Sequence, residues 1–206
     1  MRVFNFKLKD FEEQFNAPEG FFDSDKAIMD NEIGNNLAPD WDYSKADIIC
    51  TAILKGSEIT VYLREEEDTN PFKDAIKEEL DKKETYHAFN RSMEHGNFKG
   101  FMELDLNVNE IKPFKAKGWN KDAFFNQLMR DEVIPKISVT DVFFGDGSMC
   151  IAVWKKYLQT GNKQDLMDIV AHVINCVCKE SVILKHKKHF EDNWNIDNNG
   201  FMLEHK

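Results

Sequence analysis

The stretch Ala27-Ile28-Met29-Asp30-Asn31-Glu32-Ile33-Gly34 runs a short apolar strand into two carboxylates one residue apart and then a glycine. Residues i and i+2 of a strand share a face, so Asp30 and Glu32 project together. A carboxylate pair leaving the end of a buried strand is costly to desolvate unless a cation sits between the charges. The spacing therefore suggests a divalent metal site. The plain alternative for the same Asp-x-Glu is a solvated turn, and the rest of the chain has to choose between them.

Outward from this stretch, residues 47–54 and 59–63 are apolar runs joined by Lys55-Gly56-Ser57-Glu58, a hairpin connection. With the opening run they predict three strands in an antiparallel start to a sheet. The acidic run 65–68 followed by Thr69-Asn70-Pro71 is a helix entrance, and Phe72, Ile76 and Leu80 then recur every four residues. That helix returns the chain to a strand over 85–89, a crossover that makes parallel neighbours. Residues 100–106 are expected to be extended. Helical spacing follows at Phe124, Phe125, Leu128 and Met129, at Ala152, Val153 and Tyr157, and from Leu166 through Leu184. The fold class is α/β, a mixed sheet flanked by helices.

The 206 residues, 42% hydrophobic with 17 Phe, suffice for one sizeable core, and a single domain over 1–206 is the default. Residues 1–25 form an aromatic, acidic N-terminal extension whose Phe4, Phe6, Phe11 and Phe15 dock on the core, and 190–206 form a C-terminal tail. No apolar run has the length of a membrane span and no signal-type core follows Met1, so a soluble, intracellular, cytoplasmic protein with no membrane partner is expected. The 4 cysteines lack paired spacing, which predicts buried, reduced thiols rather than structural zinc.

A net charge of −10 counts against a protein that coats duplex nucleic acid, because such affinity comes mostly from Lys and Arg neutralising phosphates. Gripping a few terminal nucleotides needs less. Lys112, Lys115, Lys117 and Lys121 lie around Phe114 and Trp119, and interleaved cations and rings suit a single strand. A solubilising surface is the alternative for this cluster, as it is for the basic run 185–189, where His186 and His189 sit at an exposed helix end.

Two further segments bear on the carboxylates. Residues 85–94 form a strand ending at Asn90, with Glu94 one helical turn later, and the helix after Gly161 carries Leu166, Ile169, Val170, His172, Val173, Ile174 and Cys176. In order and spacing the region 26–184 resembles the ribonuclease H-like 3′-5′ exonucleases with four acidic metal ligands, the group that includes polymerase proofreading domains. Asp30 and Glu32 match the first motif; Asn90, Met93 and Glu94 match the second with Glu for the usual Asp. His172 fills the first place of the third, and Cys176 stands where an acid is expected.

The resemblance implies a ribonuclease H-like sheet whose first strands are antiparallel and later ones parallel. It also implies Mg2+ or Mn2+ held by Asp30, Glu32 and Glu94, and His172 orienting or deprotonating a water. Asn90, Lys115, Lys117 and Trp119 would contact the 3′ end of single-stranded DNA or RNA. Asp168, His172, Cys176 and Glu180 share one helix stripe, so the fourth ligand is either displaced along it to Asp168 or Glu180, or the site is weakened to one metal. The expected function is a metal-dependent exonuclease; the alternative is a catalytically weakened module that binds nucleic acid or protein. Ser148 is expected to cap the following helix, and Gly145-Asp146-Gly147-Ser148 is too short for a phosphate loop. Asp141 and Asp146 receive no role.

Overall fold

The computed structural model describes residues 1–80 and 83–204. It opens with β1 (Arg2–Lys7) and α1 (Leu8–Phe15), followed by β2 (Ser24–Ile33), β3 (Ile48–Gly56), β4 (Glu58–Leu63) and α2 (Asn70–Glu79). Next come β5 (Thr85–Ala88), α3 (Arg91–Asn97), β6 (Asn107–Glu110), α4 (Lys121–Arg130), α5 (Ser148–Thr160) and α6 (Lys163–Lys185). A short α7 (Lys187–Asn193) leads into a hairpin of β7 (Trp194–Ile196) and β8 (Met202–Glu204).

The first 6 strands form one mixed sheet in the order β1-β4-β3-β2-β5-β6. The pairs among β1, β4, β3 and β2 are antiparallel, and β5 and β6 add in parallel. β2 is therefore interior, paired on both sides. Its alternate residues go to opposite faces: Ile28 joins the core under α6, while Ala27 and Met29 join the core that Phe72 and Ile76 of α2 complete. Asp30 and Glu32 continue the Ile28 face, toward α6. The expected strand end at Asp30 moves to Ile33, because Asp30, Asn31 and Glu32 keep pairing with Ala52, Thr51 and Cys50. On the other face Asn31 Oδ1 accepts a 2.8 Å hydrogen bond from Thr51 Oγ1.

Elsewhere local sequence and structure part. Residues 2–7 add an edge strand beside β4, and Leu8 and Phe15 of α1 are buried, so the opening segment extends the sheet as well as docking aromatics. Residues 100–106 are not one extended segment: Phe98–Met102 is a π-helical turn continuing α3, and the strand, β6, begins at Asn107. The turn passes so close to Ser44 that a Cβ on Gly100 would lie 1.9 Å from the Ser44 carbonyl oxygen. Ser148 is the first residue of α5 rather than its cap, and both its N–H and its hydroxyl donate to Asp146 Oδ1. All 4 cysteines are free and buried. No helix among the described residues is long and apolar enough to cross a membrane.

The C-terminal segment contributes to the same interior. Fully buried Phe190 meets Phe124 edge-on at 5.0 Å, and Trp119 lies 5.1 Å from Phe124 and 5.9 Å from Trp194, measured between ring centroids. Trp119→Ala should consequently destabilise the fold, by about 2–3 kcal/mol for a partly buried aromatic, with urea denaturation as the readout. An unchanged midpoint would mean that the ring is free for a ligand.

Candidate metal centre

Packing of α6 across β2 and β3 makes the site. The stripe His172, Cys176 and Glu180 turns toward β2, and all three side chains are buried. Opposite it, Glu32 Oε1 lies 3.2 Å from His172 Nε2. The other ring nitrogen, Nδ1, is 2.8 Å from Asp141 Oδ1. Asp141 is fixed in turn, accepting backbone N–H bonds from Phe143 and Gly145, while Asn175 of α6 ties the same loop by donating to the Thr140 carbonyl. The loop closes down on the site at Gly147, where a Cβ would stand 3.3 Å from Glu32 Oε2.

A second group of charges lies beside the first. Glu94 enters on the first turn of α3, directly after β5, and is 1% exposed. Lys121 begins α4, whose N-cap Asn120 accepts from the Ala123 N–H. The Lys121 ammonium is 3.2 Å from Asp30 Oδ1 and 2.5 Å from Glu180 Oε1, with its side chain 17% exposed. Among the described residues, Glu94 Oε2 is buried with no hydrogen-bond partner.

Burial and crowding set the protonation of this cluster. Desolvation raises the pKa of Glu32, against the hydrogen bond from His172. Glu94 is pushed well above the ordinary carboxylate range by burial and then by the charges of Asp30 and Glu180. Glu180 rises to about 8, burial again leading and outweighing the opposing pull of Lys121. Burial alone would lower His172, but hydrogen bonds to Asp141, Cys176 and Glu32 raise it well above the usual imidazole value. Burial lifts Cys176 to about 11, so it is a neutral thiol at pH 7.

Asp30, Glu32, Asn90, Glu94, His172 and Cys176 line one cleft of about 240 Å³. The two acids of β2 and the one of α3 thus converge as the sequence predicts. Of the two displaced candidates on α6, Glu180 reaches the cluster through Lys121; Asp168 does not, and accepts a hydrogen bond from Gln164 on an exposed face. Cys176 Sγ lies 3.8 Å from His172 Nε2. Held between Asp141 and Glu32, with a carboxylate oxygen at each ring nitrogen, His172 positions Glu32.

The expected strand-gripping residues stand apart. Lys115, Lys117 and Trp119 are outside the cleft lining. Trp119 belongs to the aromatic interior, and Lys117 lies over the Phe201 ring while its backbone N–H bonds to Gly200. Lys112 lies 5.4 Å from the ring centroid of Phe89, a residue that does line the cleft.

Sequence reasoning placed Lys121 only in the basic cluster 112–121 and gave Asp141 no role, so it missed both as partners of the buried site. Lys121 carried one signal: a cation in the first turn of a helix opposes the dipole there and implies a compensating acid. Asp141 sits in a loop with no periodicity and carried none.

Several carboxyl groups line this cleft, Glu94 among them with an orphaned buried oxygen, and oxygen donors are what a hard divalent ion takes. Ligand atoms of Asp30, Glu32 and Cys176 lie within 4.8 Å of one another, as do those of Glu32, Cys150 and His172. The fold and site together define an α/β protein with a buried carboxylate centre at its middle strand. No family model, curated protein or solved structure matches this chain.

Proposed function

We propose that this chain is a divalent-metal-dependent 3′-5′ exonuclease of ribonuclease H-like type, acting on the ends of single-stranded DNA or RNA. The observation that carries this reading is the convergence of Asp30 and Glu32 from β2, Glu94 from α3 and Glu180 from α6, with Glu94 Oε2 left without a partner. Burying several carboxyl groups together is costly unless protons or cations offset it; Lys121 reaches Asp30 and Glu180, and Glu94 Oε2 is left for a further cation or a proton. The sheet adds support, because antiparallel first strands followed by parallel ones are what the resemblance implies.

Asp30, Glu32 and Glu94 would hold Mg2+ or Mn2+, with Glu180 beside them. Bound there, the ion supplies the positive charge that activates water and stabilises the departing oxygen of a phosphodiester. The chain does the rest. Pairing with Ala52 of β3 fixes the Asp30 backbone, and the His172–Asp141 pair fixes Glu32. Asn90, on the cleft wall, offers an amide to a sugar or base. An adjoining cavity of about 370 Å³ shares Asp122, Asp141, Gly145 and Lys179 with the cleft and has Phe144, 95% exposed, at its wall. It gives room for the nucleotides upstream of the terminal one.

Two residues favour the second reading, a weakened module that holds a nucleic-acid end without cutting it. Lys121 occupies the acid cluster, and Cys176 offers a neutral sulfur where magnesium would prefer oxygen. Incubating 5′-labelled single-stranded DNA and RNA with the protein and Mn2+ separates the two readings. The exonuclease reading expects a ladder shortening from the 3′ end that EDTA stops. Retention of the strand without shortening selects the binding module, and neither binding nor cleavage overturns both.

A further inference from the structure

We propose that Lys121 takes the place of one of the two divalent ions, so that the cleft binds a single Mg2+ or Mn2+ and the Lys121 ammonium supplies the second positive charge to the substrate phosphate. This inference rests on the nuclease reading and specifies the cation content of that site. Its basis is position. The ammonium stands between Asp30 Oδ1 at 3.2 Å and Glu180 Oε1 at 2.5 Å, bridging carboxylates from β2 and α6 as a shared cation would. An ion seated on those same two oxygens would have to expel it.

Expulsion is costly because the side chain is largely enclosed and anchored at the base of α4, where Asn120 caps the helix. A lysine ammonium has three N–H donors. Asp30 and Glu180 stand within ion-pair distance of it, and a third donor can serve a phosphate oxygen in the cleft that Lys121 lines. Glu32, Glu94 with its unpartnered Oε2, and the second oxygen of Asp30 remain for one ion. The same arrangement fits a cysteine rather than an acid at position 176, since a site with a resident ammonium needs one fewer acid.

Manganese titration of the metal-stripped full chain tests this, with calorimetry giving the stoichiometry and electron paramagnetic resonance distinguishing a single Mn2+ from an exchange-coupled pair. The wild type should bind one ion with a mononuclear signal, Lys121→Arg should also bind one, and Lys121→Met should bind two and show coupling. Two coupled ions in the wild type, or one in a folded Lys121→Met variant, overturns the proposal while leaving the nuclease reading intact. No ion in either protein overturns the nuclease reading and this inference with it. If Lys121→Met fails to fold by circular dichroism, the wild-type signal decides alone: mononuclear supports the proposal, coupled overturns it.

Discussion

If the proposed exonuclease reading holds, replacing Asp30 by Asn is expected to lower turnover by about three orders of magnitude, equivalent to roughly 4 kcal/mol of transition-state stabilisation. Asp30 is the hub of the centre. It shares Lys121 with Glu180, and its charge contributes to raising Glu32, Glu94 and Glu180. The amide keeps the size of the side chain and its place on β2 but removes a hard anionic ligand. It also relieves the repulsion among the remaining acids, so the metal-free variant should melt at or above the wild-type temperature. Lost activity with retained or raised thermal stability assigns Asp30 to the chemistry. Lost activity with a collapse in melting temperature would instead make it a structural partner of Lys121, and unchanged activity would contradict its place in the site.

The second large effect is on stability against pH. The Glu180 pKa rises from 4.5 to about 8 on folding, and Glu32 and Glu94 shift the same way. A carboxyl group that binds its proton more tightly when folded contributes stability that is present below pH 4.5 and is lost as pH climbs through its folded value. His172, raised from 6.5, also loses its contribution only as pH increases, and the lowered Asp141 acts below its ordinary value of 3.8, outside this window. Metal-free protein should therefore lose stability between pH 5 and pH 8, with the melting temperature falling by about 5–10 °C for a few kcal/mol in a chain of this size. Saturating Mn2+ should stabilise most at pH 8, because ligands bind metal deprotonated. Glu180→Gln should flatten the metal-free profile. A flat wild-type profile, or one identical to that of the variant, would remove Glu180 from the buried cluster.

What the sequence disclosed and what it hid follow from the range of the interactions involved. Asp30 and Glu32 were legible because alternation along a strand is local, and Glu94 because one helical turn after Asn90 sets its direction. The β3–β4 hairpin was legible from Lys55-Gly56-Ser57-Glu58, although Lys55 and Glu58 pair with each other and leave a tighter turn than that stretch suggests. The strand at 2–7 was missed because it is an edge strand with alternate residues exposed, its apolar members lost among neighbouring phenylalanines. The apolar residues Phe101, Met102, Leu104 and Leu106 fit a strand as well as a turn, and contact with Ser44, distant in sequence, decides between them. The position of Lys121 depends on how α4 sits against β2 and α6, which no spacing encodes. The same holds for Asp141, whose partner His172 lies on α6. The choice between Asp168 and Glu180 needed the rotation of α6 on the sheet.

Anomalous scattering from manganese-soaked crystals tests the central claim most directly. The account predicts a peak in the cleft within ligand distance of Asp30, Glu32 and Glu94, absent from crystals of the Asp30→Asn variant. A fully soaked crystal with no manganese at these carboxylates, or with manganese only at surface acids, would contradict it.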